Sequence, residues 1–354
     1  MEVSPEPTPL LTSIENRRSA GAVRLDFDAI PIIDLGPAVL GDEDETRRIA
    51  ETIRDTARDV GFFYVKNHGI DAGVLERALR ETRNFFELPE ATKLKYDIGR
   101  IKRHRGYVPT GALSADPELI DHQQGYEIGP ELPADDPDYL AGNALLGPNV
   151  WPEELPAFRT DVYRYFEEAM GLGRLLFKLF AVGLNLAPDY FDELISKPTA
   201  QLRLIHYPAM DPSVPAEEAI GIGPHTDYEC FTILWQTEHG LQVQNPLGQW
   251  IEAPPIPGTF VINIGDLFQR WTNDLFVSTP HRVVSNTGRR RYSFPLFFGL
   301  NHDVVVECLD TCQGPDNPRR YPPTHCGHWI ETMHTYSYRY RWHERGRIPN
   351  PELG

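Results

Sequence analysis

The sequence lacks an apolar run long enough to cross a bilayer, and its beginning lacks the apolar core of a signal peptide. The first twenty residues, MEVSPEPTPLLTSIENRRSA, are interrupted throughout by proline and by charged residues. These absences argue against a membrane partner. We therefore predict a cytoplasmic protein.

Basic residues are scarce. The 354-residue chain has 34 Lys and Arg against 51 Asp and Glu, which gives a formal net charge of −17 and a pI near 5.1. Because phosphate groups are bound by basic surfaces, this balance argues against a nucleic acid or an anionic membrane as partner. The 41% hydrophobic content is ordinary for a globular protein, and a chain of this length can bury a pocket. Composition gives no indication of the oligomeric state.

Cysteine is also rare, with four residues: Cys230, Cys308, Cys312 and Cys326. They are too few for a disulfide scaffold, and the absence of an export signal implies a reducing compartment, so we expect free thiols. The last three, together with His325 and His328, include the residue types that bind zinc. Their spacing departs from the usual C-x2-C pattern and the segment is rich in proline, so structural zinc is a minor alternative there and the role of the cluster stays open.

No internal repeat, GxGxxG motif, Walker motif or nucleophile elbow occurs. The sequence instead predicts a flexible leader over residues 1–27 and a buried strand over 30–35. Apolar residues then recur at helical spacing, which predicts helices within 45–61, 71–96 and 161–186, the second one broken at Pro89. The C-terminal stretch 328–347, rich in Tyr and Trp, predicts one more helix that either closes over a site or packs on the core.

From residue 201 the pattern changes. Short β-branched or aromatic runs alternate with Gly, Pro and Asn turns: LRLIHYP, CFTILWQ, GLQVQ, TFVINIG, HRVVSN and RYSFPLFFG. A series of this kind predicts a sandwich or jelly roll rather than βαβ units. We therefore expect an α+β protein with a mainly β core.

The stretch GPHTDYECFTILWQ, residues 223–236, places a histidine and an aspartate where a Gly-Pro pair leads into an apolar run. A buried carboxylate is costly unless it is paired, hydrogen-bonded or bound to a metal. If a strand begins here, His225 and Asp227 face the same side and Thr226 faces away. This spacing predicts that two ligands converge on one point.

A third ligand follows in STPHRVVSN, where His281 comes at the start of another predicted strand. Two histidines and one carboxylate match the facial triad that leaves coordination positions open on Fe(II). Histidine and carboxylate also bind catalytic zinc, so these three residues alone do not choose the metal.

The run RRRYSFPLFFG places Arg291 and Ser293 two residues apart in an apolar strand, hence on one face. A guanidinium fork beside a hydroxyl is a carboxylate receptor, and its burial implies a bound anion. Arg289 shares the face of Arg291, so a register error of two residues would exchange them. The offset of ten residues from His281 (291 − 281) and the position of Ser293 favour Arg291.

The order His225-Thr226-Asp227, then His281 after 56 residues (281 − 225), then Arg291-Tyr292-Ser293, resembles the Fe(II)/2-oxoglutarate-dependent dioxygenases of the isopenicillin N synthase-like family. The segments IPIIDL, GFFYVKNHGI, RGYVPTGAL, GYEIG and GPNVWP resemble the N-terminal region of that family. The similarity covers about residues 28 to 340.

This resemblance implies a double-stranded β-helix (jelly roll) with flanking helices. It divides the chain into an N-terminal α/β region over 28–150, a dioxygenase domain over 151–345 whose jelly-roll core begins at about 201, and a tail over 346–354. It implies that His225, Asp227 and His281 bind Fe(II), and that Arg291 and Ser293 hold the distal carboxylate of the cosubstrate 2-oxoglutarate. With O2, such enzymes release succinate and CO2 and hydroxylate, desaturate or cyclise a substrate, so the resemblance implies a small-molecule substrate here.

Tyr207 in LRLIHYP matches a tyrosine of the family's cosubstrate pocket. The residue two positions earlier is often Asn in relatives but is Ile205 here, which cannot donate a hydrogen bond. Arg203 shares the strand face of Tyr207, so we expect it either to compensate by binding the cosubstrate or to solvate a strand end. The same alternation points His206 to the opposite side.

Substrate residues are expected among aromatic side chains of the same runs: Tyr107, Tyr126, Tyr228, Phe231 and Phe298. Each could equally belong to the core. The alternatives to a 2-oxoglutarate-dependent oxygenase are an ethylene-forming or isopenicillin N synthase-like oxidase, a non-catalytic metal- or ligand-binding protein, and a zinc hydrolase. The sequence does not identify the substrate or the outcome of its oxidation.

Overall fold

Two sheets of unequal size face each other in the computed structural model, which describes residues 30–344 apart from 102, 114–120, 216–217 and 286. The predicted leader 1–27 and tail 346–354 lie outside the described residues. The strands follow in chain order: β1 Ile32–Asp34, β2 Phe62–Lys66, β3 Gly106–Val108, β4 Gln124–Ile128, β5 Gln201–Tyr207, β6 Ile220–His225, β7 Phe231–Gln236, β8 Leu241–Gln244, β9 Trp250–Glu252, β10 Thr259–Ile264, β11 His281–Val284, β12 Arg291–Phe298, β13 Val305–Val306 and β14 Thr324–His325.

The large sheet has the strand order β1-β2-β10-β7-β12-β5-β4-β3, and the small sheet has the order β6-β11-β8-β9. β13 and β14 form a separate pair. All neighbours in the large sheet are antiparallel except β1 and β2, which are parallel and are connected by two helices. The expected jelly-roll core with an N-terminal α/β region is therefore confirmed.

The α-helices of the described residues are Gly36–Val39, Glu43–Asp59, Ala72–Glu87, Glu90–Lys93, Pro137–Leu140, Pro156–Gly183, Asp266–Trp271 and Cys326–Ser337. Single 3-10 turns cover Leu94–Tyr96, Ile98–Arg100, Glu193–Ile195, Asp310–Cys312 and Arg339–Glu344. None of these helices combines the length and apolar character needed to cross a membrane.

Local sequence explains where the helices begin and end. The side chain of Asp42 accepts a hydrogen bond from the Glu45 backbone and caps the helix Glu43–Asp59, which has three acidic residues in its first turn. Gly61 follows with φ of +74°, a conformation that favours glycine. Pro89 separates Ala72–Glu87 from the next helical turn, as the sequence predicts.

The helix Pro156–Gly183, called here the central helix, packs on the outer face of the large sheet. Its Phe177 ring lies 4.9 Å from that of Phe231 and 5.3 Å from that of Phe298. These rings belong to a buried cluster that contains most of the core. The opposite, inner face of the large sheet packs on the small sheet and contributes a second, smaller cluster.

Two sequence predictions about element boundaries are wrong. The helix predicted over 328–347 ends at Ser337, and a 3-10 turn, Arg339–Glu344, follows it. His225 and Asp227 do not begin one strand, because His225 is the last residue of β6 and β7 begins only at Phe231. The residues between them carry the chain from the small sheet to the large one, so the ladder cannot continue through Asp227.

The contact between the central helix and the large sheet generates a paired stability prediction. A Cβ atom at Gly173 would lie 2.3 Å from ring atoms of the buried Phe298, whereas a Cβ at Gly171 would have no atom within 4 Å. Gly173→Ala should therefore destabilise the protein by about 1–3 kcal/mol through overpacking. Gly171→Ala should be neutral or stabilise by up to about 1 kcal/mol, because alanine favours the helix. Urea unfolding followed by circular dichroism measures both; equal effects would contradict the close contact.

Candidate metal centre and adjoining cavity

Three side chains converge between the two sheets. His225 and His281 are directly paired across β6 and β11, and Asp227 approaches them from the connection that follows β6. The Nε2 atoms of both histidines lie 3.7 Å from Oδ1 of Asp227. All three ligand atoms lie within 4.8 Å of one another, a spacing at which they could hold one metal ion.

Backbone carbonyls orient both imidazole rings. Nδ1 of His225 lies 2.8 Å from the carbonyl oxygen of Gly223, and Nδ1 of His281 lies 3.3 Å from that of Thr279. A carbonyl only accepts, so Nδ1 carries the proton and the lone pair of Nε2 points towards the centre. Burial, together with the neighbouring His281, lowers the pKa of His225 to about 4, so this ring is neutral at pH 7.

The carboxylate of Asp227 is held just as firmly. Its Oδ2 accepts hydrogen bonds from Oγ1 of Thr232 at 2.5 Å and from Nδ2 of Asn263 at 2.7 Å. Burial alone would raise the pKa of Asp227, but the two histidines and these two donors lower it. Oδ1 is therefore the oxygen left to face the histidines.

The residues present fit the iron of a facial triad. Two imidazoles and one carboxylate supply the ligand types, and their ligand atoms lie close enough together to share one ion. No other group of three His, Cys, Asp or Glu ligands comes together in the part of the chain that the structure describes. Cys308, Cys312 and Cys326 are buried free thiols that join no such group, so the structure gives no support to the zinc alternative there.

A small pocket beside the metal centre contains Arg291 and is called here the arginine pocket. Arg291 is 2% exposed; its Nη2 donates to Oε1 of Gln236 at 2.7 Å and its Nε to the carbonyl of Glu238 at 3.2 Å. Its Nη1 has no hydrogen-bond partner among the described residues. The pocket lining includes Tyr207, Ser293, Leu234, Leu241, Val283 and the three triad residues.

Strand pairing brings the arginine pocket together. Arg291 lies opposite Tyr207, and Ser293 lies opposite Ile205, across β12 and β5. The guanidinium carbon of Arg291 stacks 4.7 Å from the ring centre of Tyr207. An orphaned N–H of a buried guanidinium fits a carboxylate that would occupy this pocket.

A cavity of about 180 Å³ adjoins the same centre and is called here the large cavity. The triad residues His225 and Asp227 form part of its wall. Its other lining residues are Leu113, Asp121, Gln201, Arg203, Ile222, Gly223, Pro224, Thr226, Tyr228, Glu229, Phe297, His334, Ser337 and Tyr338. The last three come from the C-terminal helix Cys326–Ser337 and the residue after it, so that helix closes one side of the cavity.

Comparison with known proteins agrees with this geometry. Residues 198–300 match the model of the 2OG-Fe(II) oxygenase superfamily, and residues 30–154 match that of the non-haem dioxygenase in morphine synthesis N-terminal region. The 2-oxoglutarate-Fe(II) type oxidoreductase hxnY of Emericella nidulans is 33% identical over 319 residues, which cover 88% of this chain and 90% of that protein. The chain belongs to the 2OG-Fe(II) oxygenase superfamily.

Solved structures of related proteins have the same fold. A full-length Neurospora crassa protein in complex with alpha-KG and thymine superposes with a TM-score of 0.78 at 31% identity, covering 88% of this chain and 98% of that one. JOX2 in complex with 2OG, Fe and JA has a TM-score of 0.70 at 29% identity, covering 88% of this chain and 86% of that one. The superfamily assignment makes this chain a non-haem iron, 2-oxoglutarate-dependent enzyme.

Of the five aromatic residues expected to contact substrate, Tyr228 lines the large cavity, where its hydroxyl bonds Ser337. Phe231 and Phe298 face the central helix on the outer side of the sheet. Tyr107 and Tyr126 pair across β3 and β4 and pack against Phe85, away from the cavity. Phe231, Phe298, Tyr107 and Tyr126 are therefore not among the residues that line the large cavity.

Sequence reasoning missed residues that do reach the site. Phe297 lines both the large cavity and the arginine pocket, and it shares its strand face with Arg291 and Ser293. Residues an even number of positions apart on a strand face the same side. The rule that pairs Arg291 with Ser293 therefore predicts Phe297, and not Phe298, on that face. No local signal marks Asn263, because its contact with Asp227 spans 36 residues and depends on the pairing of β10 with β7.

The two donors to Asp227 generate a prediction about metal affinity. Asn263→Ala and Thr232→Val should each weaken Co(II) binding by about 10–100-fold, because the carboxylate loses the bond that fixes its orientation. Competition titration of the metal-free protein measures this, with circular dichroism to confirm folding. Thr259→Val is the matched control on β10, since its hydroxyl donates to the carbonyl of Ile256, away from Asp227. Unchanged affinity in both variants would show that Asp227 needs neither donor.

Proposed function

We propose that His225, Asp227 and His281 hold the Fe(II) of this enzyme and that the arginine pocket holds the distal carboxylate of 2-oxoglutarate. The observation that carries the proposal is the free Nη1 of Arg291, which is buried within a pocket that the triad also lines. Ser293 and Tyr207 complete the receptor. When bound, iron and cosubstrate supply the oxidative decarboxylation of 2-oxoglutarate by O2 to succinate and CO2, coupled to oxidation of a substrate C–H bond.

The chain's own residues bind, orient and exclude water in this scheme. Arg291 fixes one end of the cosubstrate, while Gln236 and the carbonyl of Glu238 hold the guanidinium in place. Leu234, Leu241 and Val283 form an apolar wall, which keeps the pocket dry and strengthens the ion pair. Ile205 stands in this wall opposite Ser293, so it contributes packing rather than a hydrogen bond.

We further propose that the large cavity receives a small organic substrate. Its lining includes His225 and Asp227 of the triad but not Arg291, and it combines apolar with polar walls, as ligand sites do. The similar Neurospora crassa structure contains thymine, a small molecule of this kind. A relative in Glycine max, 35% identical over 303 residues, is a homoarginine-6-hydroxylase. These different ligands support a small-molecule substrate without specifying it.

An anaerobic titration tests the cofactor assignment. Purified protein reconstituted with Fe(II) should develop a weak visible charge-transfer band when 2-oxoglutarate is added, and succinate should form on admission of O2. His225→Ala, Asp227→Ala and His281→Ala should each lose both signals and keep a folded circular dichroism spectrum, because the strands that hold the ligands form without them. Retained turnover in any two of these variants would remove the triad assignment. A wild-type protein without the band would favour the oxidase alternative.

The role of Arg291 has its own test. Arg291→Gln removes a buried charged partner, which typically costs about 2–5 kcal/mol, so the 2-oxoglutarate concentration at half-maximal decarboxylation should rise roughly thirtyfold to several thousandfold. Arg291→Lys keeps the charge but loses the planar fork. Its half-maximal 2-oxoglutarate concentration should therefore lie between that of the wild type and that of Arg291→Gln. Arg289→Gln is the control, because the Arg289 side chain is 76% exposed. Iron content should be equal in all four proteins. A steep rise for Arg289→Gln alone would contradict the assignment of Arg291.

A further inference from the structure

Arg203 on β5 is a buried cation between the two binding spaces. Its side chain is 4% exposed, and it lines both the large cavity and the arginine pocket. On β5 it shares the inner face with Ile205 and Tyr207. A Cβ atom at Gly125 on β4 would lie 2.9 Å from Nε of Arg203, so a glycine there leaves room for the guanidinium.

The guanidinium of Arg203 has five N–H donors, yet its Nε and Nη2 are fully buried without a hydrogen-bond partner among the described residues. The nearest anion is Glu127, with Oε1 at 3.1 Å from Nε. Glu127 is itself already bonded: Tyr338 donates to Oε1 at 2.9 Å and Gln201 donates to Oε2 at 2.7 Å. Glu127 thus offsets the charge of Arg203 while Nε and Nη2 stay without a hydrogen bond.

A buried unsatisfied donor is costly, and native proteins keep few of them. Burial would lower the pKa of Arg203, but Tyr338, Glu127, Tyr207 and Asp121 raise it, so the side chain stays charged. A charged fork whose buried donors lack acceptors, on the wall of a cavity, is suited to a ligand that brings oxygen atoms, above all a carboxylate.

The cosubstrate does not account for these unsatisfied donors. Arg291 lies opposite Tyr207, and the backbone of Tyr207 is four residues along β5 from that of Arg203, roughly 13 Å at about 3.3 Å per residue. 2-Oxoglutarate is a five-carbon dicarboxylate with one end at Arg291 and the other at the metal. Arg203 also lines the large cavity with Tyr338 and Gln201, two residues that do not line the arginine pocket, so part of its side chain faces a space separate from the one that holds Arg291.

We propose that Arg203 binds a carboxylate of the substrate, so that this oxygenase acts on a small carboxylic acid. The inference rests on the proposed function. It names the substrate class of the same site and reassigns Arg203, which the sequence suggested for the cosubstrate. The carbon skeleton of the acid lies against Ile222, Tyr228 and Phe297, the apolar and aromatic part of the cavity wall. Asp121 and Glu229 line the same cavity and offer acceptors to N–H groups of a substrate that has them.

Pairs of a carboxylic acid and its amide test the proposed substrate class. The probes are benzoate with benzamide, cyclohexanecarboxylate with its carboxamide, and pyrrolidine-2-carboxylate with its carboxamide. Each is titrated anaerobically into protein loaded with Fe(II) and 2-oxoglutarate, and binding is followed as a change in the visible band. In the wild type at least one acid should bind about tenfold or more tightly than its amide, since only the acid forms a charge-assisted pair with Arg203.

Arg203 variants then assign the preference to this residue. Arg203→Gln should abolish the preference for the acid and change half-saturation by 2-oxoglutarate less than about threefold, far below the effect predicted for Arg291→Gln. Arg203→Lys should retain part of the preference, because the charge stays and the fork is lost. The exposed Arg289→Gln should behave as the wild type. Because Arg203→Gln leaves Glu127 buried without a counter-ion, the double variant with Glu127→Gln removes both charges and keeps the test valid if the single variant does not fold.

Three results would overturn the inference. The first is that no pair favours the acid in the wild type, and the second is that the favoured acid binds Arg203→Gln as well as it binds the wild type. The third is that Arg203→Gln raises the 2-oxoglutarate requirement as steeply as Arg291→Gln, which would return Arg203 to the cosubstrate. Loss of the visible band in the wild type itself would count against the proposed function and not against the choice of substrate class.

Discussion

The buried carboxylate of Asp227 is the constraint on which the arrangement of the site depends. At 6% exposure it cannot be solvated by water, so the protein must surround it with donors and positive charge. Thr232 and Asn263 on the large sheet satisfy one oxygen, and the two histidines of the small sheet face the other. The carboxylate therefore links the two sheets at the point where a metal would bring them together.

The same constraint explains the chain path around the site. β6 pairs with β11 so that His225 and His281 are direct neighbours, and the chain then leaves the small sheet to place Asp227 between the layers. A longer β6 would keep Asp227 in the small-sheet ladder and separate it from Asn263. The irregular segment is thus a requirement of the site rather than an imperfection of the sheet, since Asp227 must reach both the histidines of the small sheet and its donors on the large sheet.

Much of this site was predictable because a period of two decides which strand residues face inward. The pairs Arg291 with Ser293 and Arg203 with Tyr207 follow from that rule, and the structure places all four on the inner face. The sequence suggested Phe231 and Phe298 as substrate residues, but each lies one position from the strand residue that faces inward. Strand pairing, and not aromatic character, decides which face a residue occupies. Asn263 could not be predicted, because its role exists only once β10 lies beside β7 and brings it to a residue 36 positions earlier.

Two buried arginines, Arg291 and Arg203, lie on the inner face of the large sheet and differ in the binding spaces that they line. Arg291 already donates to Gln236 and to a backbone carbonyl, so its orientation is fixed and one edge is left for an anion at the end of the arginine pocket. Arg203 is balanced in charge by Glu127, but its Nε and Nη2 find no acceptor among the described residues, so these two atoms are left for an acceptor that enters the large cavity. Tyr338, which closes that cavity, bonds the same Glu127. An anion bound by Arg203 would therefore share the guanidinium with Glu127, and Glu127 is the carboxylate that also accepts the hydrogen bond of Tyr338 on the cavity wall.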